Sequence, residues 1–224
     1  MFFGGGWRQG SVQQFVPHAE HLANLGMVAI VADYRVLFRH GSNVAAAVAD
    51  AKSAIRWVRS HAGDLGIDPN RIAAAGGSAG GHLAAAAAAL QGFEAPGENL
   101  SVSSRPNALV LFNPAVNTGK IGDSRPRQFP GDAEALSPYH QAGGDFVPTL
   151  IQHGYGDTTV PYSDVQDFCD KLTRLAGDCT SIGYEEAEHG FFNKGVENDR
   201  WYLPTVEQMD GFLVRLGYLE EPGR

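Results

Sequence analysis

The sequence predicts an α/β protein, a single domain over residues 1–224 built on a mostly parallel sheet with helices on both faces. Three observations carry that reading. Helical and strand-like segments alternate from end to end, the apolar run Met27–Ala32 suits a strand buried on both faces, and one serine sits in a glycine-rich turn between a strand and a helix. With 224 residues, the chain can bury a substantial core.

The elements follow in order. Ser11 is placed to cap a helix running to about Leu25, which Gly26 ends. Met27–Ala32 is an apolar run suited to a buried strand. From Asn43 a helix sets Val44, Val48, Ala51, Ile55 and Val58 on one stripe at spacings of three and four. Asp68-Pro69-Asn70 makes a turn before the strand Arg71–Ala75. A helix follows to Leu90. Ala108–Phe112, Thr149–Gln152 and Ser181–Tyr184 read as further strands, and Ser163–Leu175 and Pro204–Leu216 as helices. The irregular stretch between Pro114 and Pro148 is placed as a rim over the site.

Gly76-Gly77-Ser78-Ala79-Gly80-Gly81 joins strand to helix. The spacing Gly-x-Ser-x-Gly suits a nucleophile elbow, where the chain reverses so sharply that the flanking positions tolerate almost no side chain. Its serine hydroxyl then stands above the sheet beside the exposed amides of a helix N-terminus. The bland reading is a structural tight turn. A phosphate cradle is disfavoured, since neither Gly-x-Gly-x-x-Gly nor Gly-Lys-Ser/Thr occurs.

A serine nucleophile needs a base, and the base needs an orienting carboxylate. In an open parallel sheet both belong in loops at the C-terminal strand ends. Those loops supply Asp157 and His189, giving the order Ser78, Asp157, His189. Glu185, Glu186 and Glu188 crowd the base's own loop and read as a solvated rim. Gly4-Gly5-Gly6 offers unshielded amides that, with Ala79, would bind an oxyanion; the alternative is a glycine-rich tail. Trp7, Tyr155 and Phe191 read equally as pocket lining or as core. His18 and His21, three apart, read as a solvent-facing pair rather than metal ligands, and His82 and His153 as structural residues.

A net charge of −8 with no basic stripe argues against a nucleic-acid partner. No apolar run reaches membrane-spanning length and no signal-peptide pattern is visible, so no membrane association is expected. No metal or organic cofactor is indicated. Cys169 and Cys179, ten apart, form either a disulfide or two thiols of a reduced compartment.

Together these blocks resemble the α/β-hydrolase superfamily, nearest the His-Gly-Gly-Gly branch of esterases and lipases that includes bacterial acetyl esterases and carbohydrate esterases. The likeness runs from Phe3 to about Phe192 and also takes in Asp33-Tyr34-Arg35, Asp68-Pro69-x-Arg71-Ile72 and His153-Gly154-x-x-Asp157-x-x-Val160-Pro161. It implies a Ser78–His189–Asp157 triad and an oxyanion hole from Gly5, Gly6 and Ala79. It also implies that Asp33, Arg35 and Asp50 are scaffold residues in buried polar contacts. The implied activity is hydrolysis of short acyl esters, small-molecule or carbohydrate, through an acyl-enzyme. An amidase or peptidase with the same machinery, such as an arylformamidase, and a non-catalytic binding module are the alternatives. Phe3 stands where the family usually has His. Met1–Phe3 is also all that remains of a normally central strand, which implies a chain lacking N-terminal strands and leaves a secreted or periplasmic location open if the chain is truncated, a cytoplasmic one otherwise. Oligomeric state stays open.

Overall fold

In the computed structural model, which describes residues 1–220, β1 (Ala73–Gly77), β2 (Ala108–Phe112), β3 (Thr149–Gly154) and β4 (Cys179–Tyr184) pair in that order, all parallel. Eight helices accompany them: α1 (Val16–Asn24), α2 (Leu37–His40), α3 (Val44–Ser60), α4 (Ala62–Leu65), α5 (Ala79–Ala89), α6 (Pro138–Gln141), α7 (Tyr162–Arg174) and α8 (Tyr202–Arg215).

Side-chain alternation along the strands decides which helix covers which face. Phe112 and Gln152 are register partners and share a face. Phe112 packs on Phe15 and His18, while the Gln152 amide donates to the Thr205 carbonyl of α8 at 2.9 Å. One residue on, His153 points the other way and meets Tyr162 of α7 edge-on. So α1 and α8 cover one face. α7 covers the other and is tied to α6 by the Lys171 ammonium, which donates to the Tyr139 carbonyl at 2.6 Å.

Local chemistry explains the boundaries. The Asn43 side chain accepts the Ala46 N–H at 3.0 Å and starts α3 where expected. Ser11, by contrast, makes no side-chain cap; a 3₁₀ turn over Val12–Phe15 intervenes. Pro17 lacks an N–H and fits the first turn, so the α-helix begins beside it.

Three expectations are corrected. Met27–Ala32 is not a strand buried on both faces. It forms one parallel bridge, from Ala32 to Phe2, and Val28 is 48% exposed. The backbone beside it meets it only at the chain start, where the Met1 amino group donates to Ile30 O at 2.7 Å and the Met1 carbonyl accepts from Ala32 at 3.0 Å, so no ladder extends along its length. Asp33 and Arg35 are exposed and Asp50 is half-buried; Arg35 grips Asp50 and Arg39 grips Asp33. Their hydrophilic ends gain more from water than from burial. The third concerns the histidine pair: His21 bonds Asp210 at 2.8 Å, but His18 is fully buried among Phe15, Phe112, Phe192 and Tyr202. Three residues is nearly one helical turn, yet the residual rotation carries His18 onto the core side.

Cys169 of α7 and Cys179 of β4 form a disulfide, which resolves the two readings of that pair. It ties the last turns of a helix to the strand that follows. Breaking it with a Cys169→Ala, Cys179→Ala double variant is expected to lower unfolding free energy by somewhat under about 3 kcal/mol, measured by urea denaturation.

Burial pushes the His18 imidazole down from 6.5 to about 4, with His21 nearby adding to the effect. Neither of its ring nitrogens has a hydrogen-bond partner. Between those values the unfolded chain binds the extra proton and the folded one does not. Stability is therefore complete above 6.5 and falls as the pH drops toward 4. His18→Phe should remove up to about 3 kcal/mol of that pH dependence, seen as a flatter plot of denaturation midpoint against pH.

Candidate active site

Ser78 occupies the one-residue turn between β1 and α5 with φ 53° and ψ −116°, a backbone conformation that L-residues rarely adopt. The turn closes because glycines flank it. A Cβ on Gly76 would lie 2.4 Å from the Gly80 carbonyl, and one on Gly80 would lie 2.0 Å from the Phe2 carbonyl oxygen. Meanwhile the Ser78 N–H donates to Phe112 O at 2.9 Å and its carbonyl accepts from His82 and Ala115. Strand β2 and helix α5 thus both hold the backbone that carries the hydroxyl.

The two other loops meet it there. The Ser78 hydroxyl lies 2.9 Å from His189 Nε2, and His189 Nδ1 lies 2.7 Å from Asp157 Oδ2. Asp157 Oδ1 accepts the Thr159 and Val160 amides at 2.8 and 2.9 Å. Its side chain is fully buried, and the His153 ring nitrogen Nε2, itself fully buried, approaches Oδ2 at 3.2 Å. Burial alone would raise the Asp157 pKa. Hydrogen bonds from His153, His189 and the Val160 amide outweigh it and hold the carboxyl well below the usual range. An ionised carboxylate accepting at Nδ1 fixes an imidazole proton there, leaving His189 Nε2 facing the serine hydroxyl.

The glycine turn lies against the serine: a Cβ on Gly4 would sit 3.4 Å from the Ser78 Cβ. The Gly4 amide is spent on Gln14 Oε1 at 2.6 Å. Those of Gly5, Gly6 and Ala79 take no part in the backbone bonding of the turn. Gly5, at φ 117°, turns the chain so tightly that a Cβ would come within 2.1 Å of Gln9 O. Ala79 opens α5, where the N–H groups have no intrahelical partner.

Trp7 braces this turn. Its indole N–H donates to His82 Nδ1 at 3.2 Å, and His82 Nε2 in turn meets Leu136 O at 2.8 Å. The ring must therefore carry its proton on Nε2 and stay neutral; burial pushes its pKa down to about 4, against that backbone bond. Of the three expected lining residues, Trp7 alone borders the cavity beside Ser78. Tyr155 is 49% exposed and lies flat over Gly183, while Phe191 is 1% exposed and packs on Tyr184 and Phe192. Each lies two residues from a catalytic candidate, Tyr155 before Asp157 and Phe191 after His189, but one side chain points outward and the other into the core. Glu185, Glu186 and Glu188 are exposed.

The cavity measures about 260 Å³ and is bordered by Ser78, His189, Gly5 and Gly6, with Ala115, Asn117 and Arg125 from the stretch after β2. Sequence reading passed over Asn113. It directly follows β2, fully buried, and its Oδ1 accepts the Gly190 amide at 3.1 Å, steadying the loop of His189. The available signal was an Asn-Pro pair at a C-terminal strand end. Among the described residues no three His, Cys, Asp or Glu side chains cluster as a metal site.

Known proteins are similar to this chain in sequence and fold. The BD-FAE family model matches residues 1–117. Esterase LipQ of Mycobacterium tuberculosis is 32% identical over 230 residues, covering 94% of this chain and 54% of LipQ. The chain spans about half the length of the curated relatives it matches. Two structures of Thermogutta terrifontis esterase 2, one phosphoramylated by tabun and one with propionate bound, superpose with TM-scores of 0.95. They are 46% and 45% identical, and the matches cover 98% and 99% of this chain and 83% and 84% of those. The chain belongs to the BD-FAE family, in the esterase and lipase branch of the α/β-hydrolases.

Proposed function

We propose that this protein is a serine carboxylic-ester hydrolase acting on short acyl esters. One observation carries the reading: a continuous chain of hydrogen bonds, 2.9 Å and 2.7 Å long, runs from Ser78 through His189 to Asp157 at the edge of a small cavity. The esterase names of its relatives point the same way.

In this mechanism Ser78 Oγ attacks the ester carbonyl carbon while His189 Nε2 takes the hydroxyl proton. Asp157 stabilises the imidazolium that results. The carbonyl oxygen becomes an oxyanion held by the Gly5, Gly6 and Ala79 amides, each donor contributing about 3 kcal/mol in the transition state. The intermediate collapses, the C–O bond to the alcohol breaks, and His189 returns the proton to the leaving oxygen. Water then attacks the acyl-enzyme with His189 as base again, releasing the acid and restoring Ser78.

A cavity near 260 Å³ is below the usual range for drug-sized ligands. It suits acetyl to butyryl groups, and the related esterase 2 is described with propionate and with butyrate bound. Acetylated carbohydrates or aromatic acid esters fit the same chemistry.

Ser78→Ala should abolish hydrolysis of p-nitrophenyl acetate, a loss of at least about 10³-fold, with circular dichroism unchanged. Asp157→Asn should lower kcat by about 10⁴-fold, because the amide favours the wrong imidazole tautomer. Turnover that survives Ser78→Ala would show that another group is the nucleophile. Across p-nitrophenyl esters, kcat/KM should peak between acetate and butyrate and fall about tenfold or more by octanoate; a flat or rising series would remove the small-acyl reading.

A further inference from the structure

The cavity beside Ser78 holds a positive charge that no acidic group of the described residues neutralises. Arg125 borders the cavity, and its guanidinium Nη1 lies 3.3 Å from where a Cβ on Gly6 would be. Several arginines hold a carboxylate, as Arg35 does Asp50, Arg39 does Asp33 and Arg56 does Glu94, whereas among the described residues Arg125 shares the lack of one with Arg8, Arg59, Arg127 and Arg174 but alone of these borders the cavity. Arg125 forms no ion pair and no side-chain hydrogen bond among the described residues. Asp164 is the one carboxylate among the described residues that line the cavity, and it is already committed to Lys120. Asp157 is sealed behind His189.

Its position is built rather than incidental. The Arg125 N–H donates to Gly122 O at 2.9 Å, and its carbonyl accepts from Gln128 and Phe129 at 2.9 and 3.0 Å. Gln128 then reaches across to the carbonyl of Gly6, so the turn carrying Arg125 is latched onto the turn that supplies the oxyanion amides. A guanidinium that borders a reaction cavity with no protein acceptor has its donors available to a substrate.

The net charge of the chain is −8. Its field opposes an anionic substrate, so any preference for one must arise from a local cation. A guanidinium matches a carboxylate with two parallel hydrogen bonds, which a neutral ester cannot offer. Resting on the esterase reading above, we propose that Arg125 is a specificity residue that binds a carboxylate carried by the substrate a few atoms from the scissile ester. The substrate class is then carboxylate-bearing esters: half-esters of dicarboxylic acids, or acetylated hydroxy acids.

Two matched pairs test this. Kinetics with p-nitrophenyl hydrogen succinate against p-nitrophenyl butyrate probe a charge on the acyl side. Kinetics with 4-acetoxybenzoate against its methyl ester probe a charge on the alcohol side. In at least one pair, kcat/KM for the charged ester should exceed that of its neutral partner by about tenfold or more, mostly through KM. That ratio should shrink as salt is raised. It should fall to one or below in Arg125→Gln and be partly kept in Arg125→Lys. A ratio near one in both pairs, or an Arg125→Gln variant that slows both esters equally, overturns the assignment. Hydrolysis of the neutral esters reports separately on the esterase reading. Calorimetry on Ser78→Ala reads binding without turnover: the charged ester should bind several-fold tighter, and a Ser78→Ala, Arg125→Gln double variant should lose that margin. Equal binding of charged and neutral esters sinks the proposal whatever the turnover.

Discussion

The contact between Gly76 and Gly80, with Phe2 and Phe3 pressed against Gly80, is the constraint on which the rest depends. Strand β1 and helix α5 approach so closely there that neither position has room for a methyl group. That closeness forces Ser78 into its unusual backbone conformation, at a cost of about 1–3 kcal/mol. The hydrogen bond from Ser78 to Phe112 O and the first turn of α5 hold it in place. The strained residue therefore presents its hydroxyl to the loops beyond β3 and β4.

Around that point the polar groups form one connected arrangement. Asp157 is the hub: two backbone amides fix one oxygen, and His153 and His189 share the other. A second histidine buried against the carboxylate means that its orientation does not depend on His189 alone. On the other side of the serine, Trp7, His82 and Leu136 O form a neutral relay that braces the glycine turn. Burial costs these groups hydration, and each hydrogen bond offsets part of that cost. The site is thus preorganised before substrate arrives, which is what electrostatic stabilisation of a transition state demands.

The irregular stretch after β2 completes the cavity. It contributes Ala115, Asn117 and Arg125, and it is latched to the oxyanion turn by Gln128. The reactive groups come from the strand ends, whereas the groups that meet the rest of the substrate come from a loop that can vary without disturbing the sheet.

How much of this was legible depends on how local each signal is. Alternating apolar runs and caps such as Asn43 are local, so the parallel sheet and most helix boundaries could be read directly from the chain. The elbow was legible for the same reason: its glycines are required within five consecutive residues. Chemistry and order singled out Ser78, Asp157 and His189 as the residues competent to react. Their separations, 111 residues from Ser78 to His189 and 32 from there to Asp157, mean that only the folded chain could decide whether they touch. It likewise decided that His18 is buried, that Tyr155 and Phe191 turn away from the cavity, and that Arg125 enters it without an acidic partner. Those outcomes are set by the direction in which a side chain leaves a turn and by what packs against it from distant segments. Neither is encoded in spacing along the sequence.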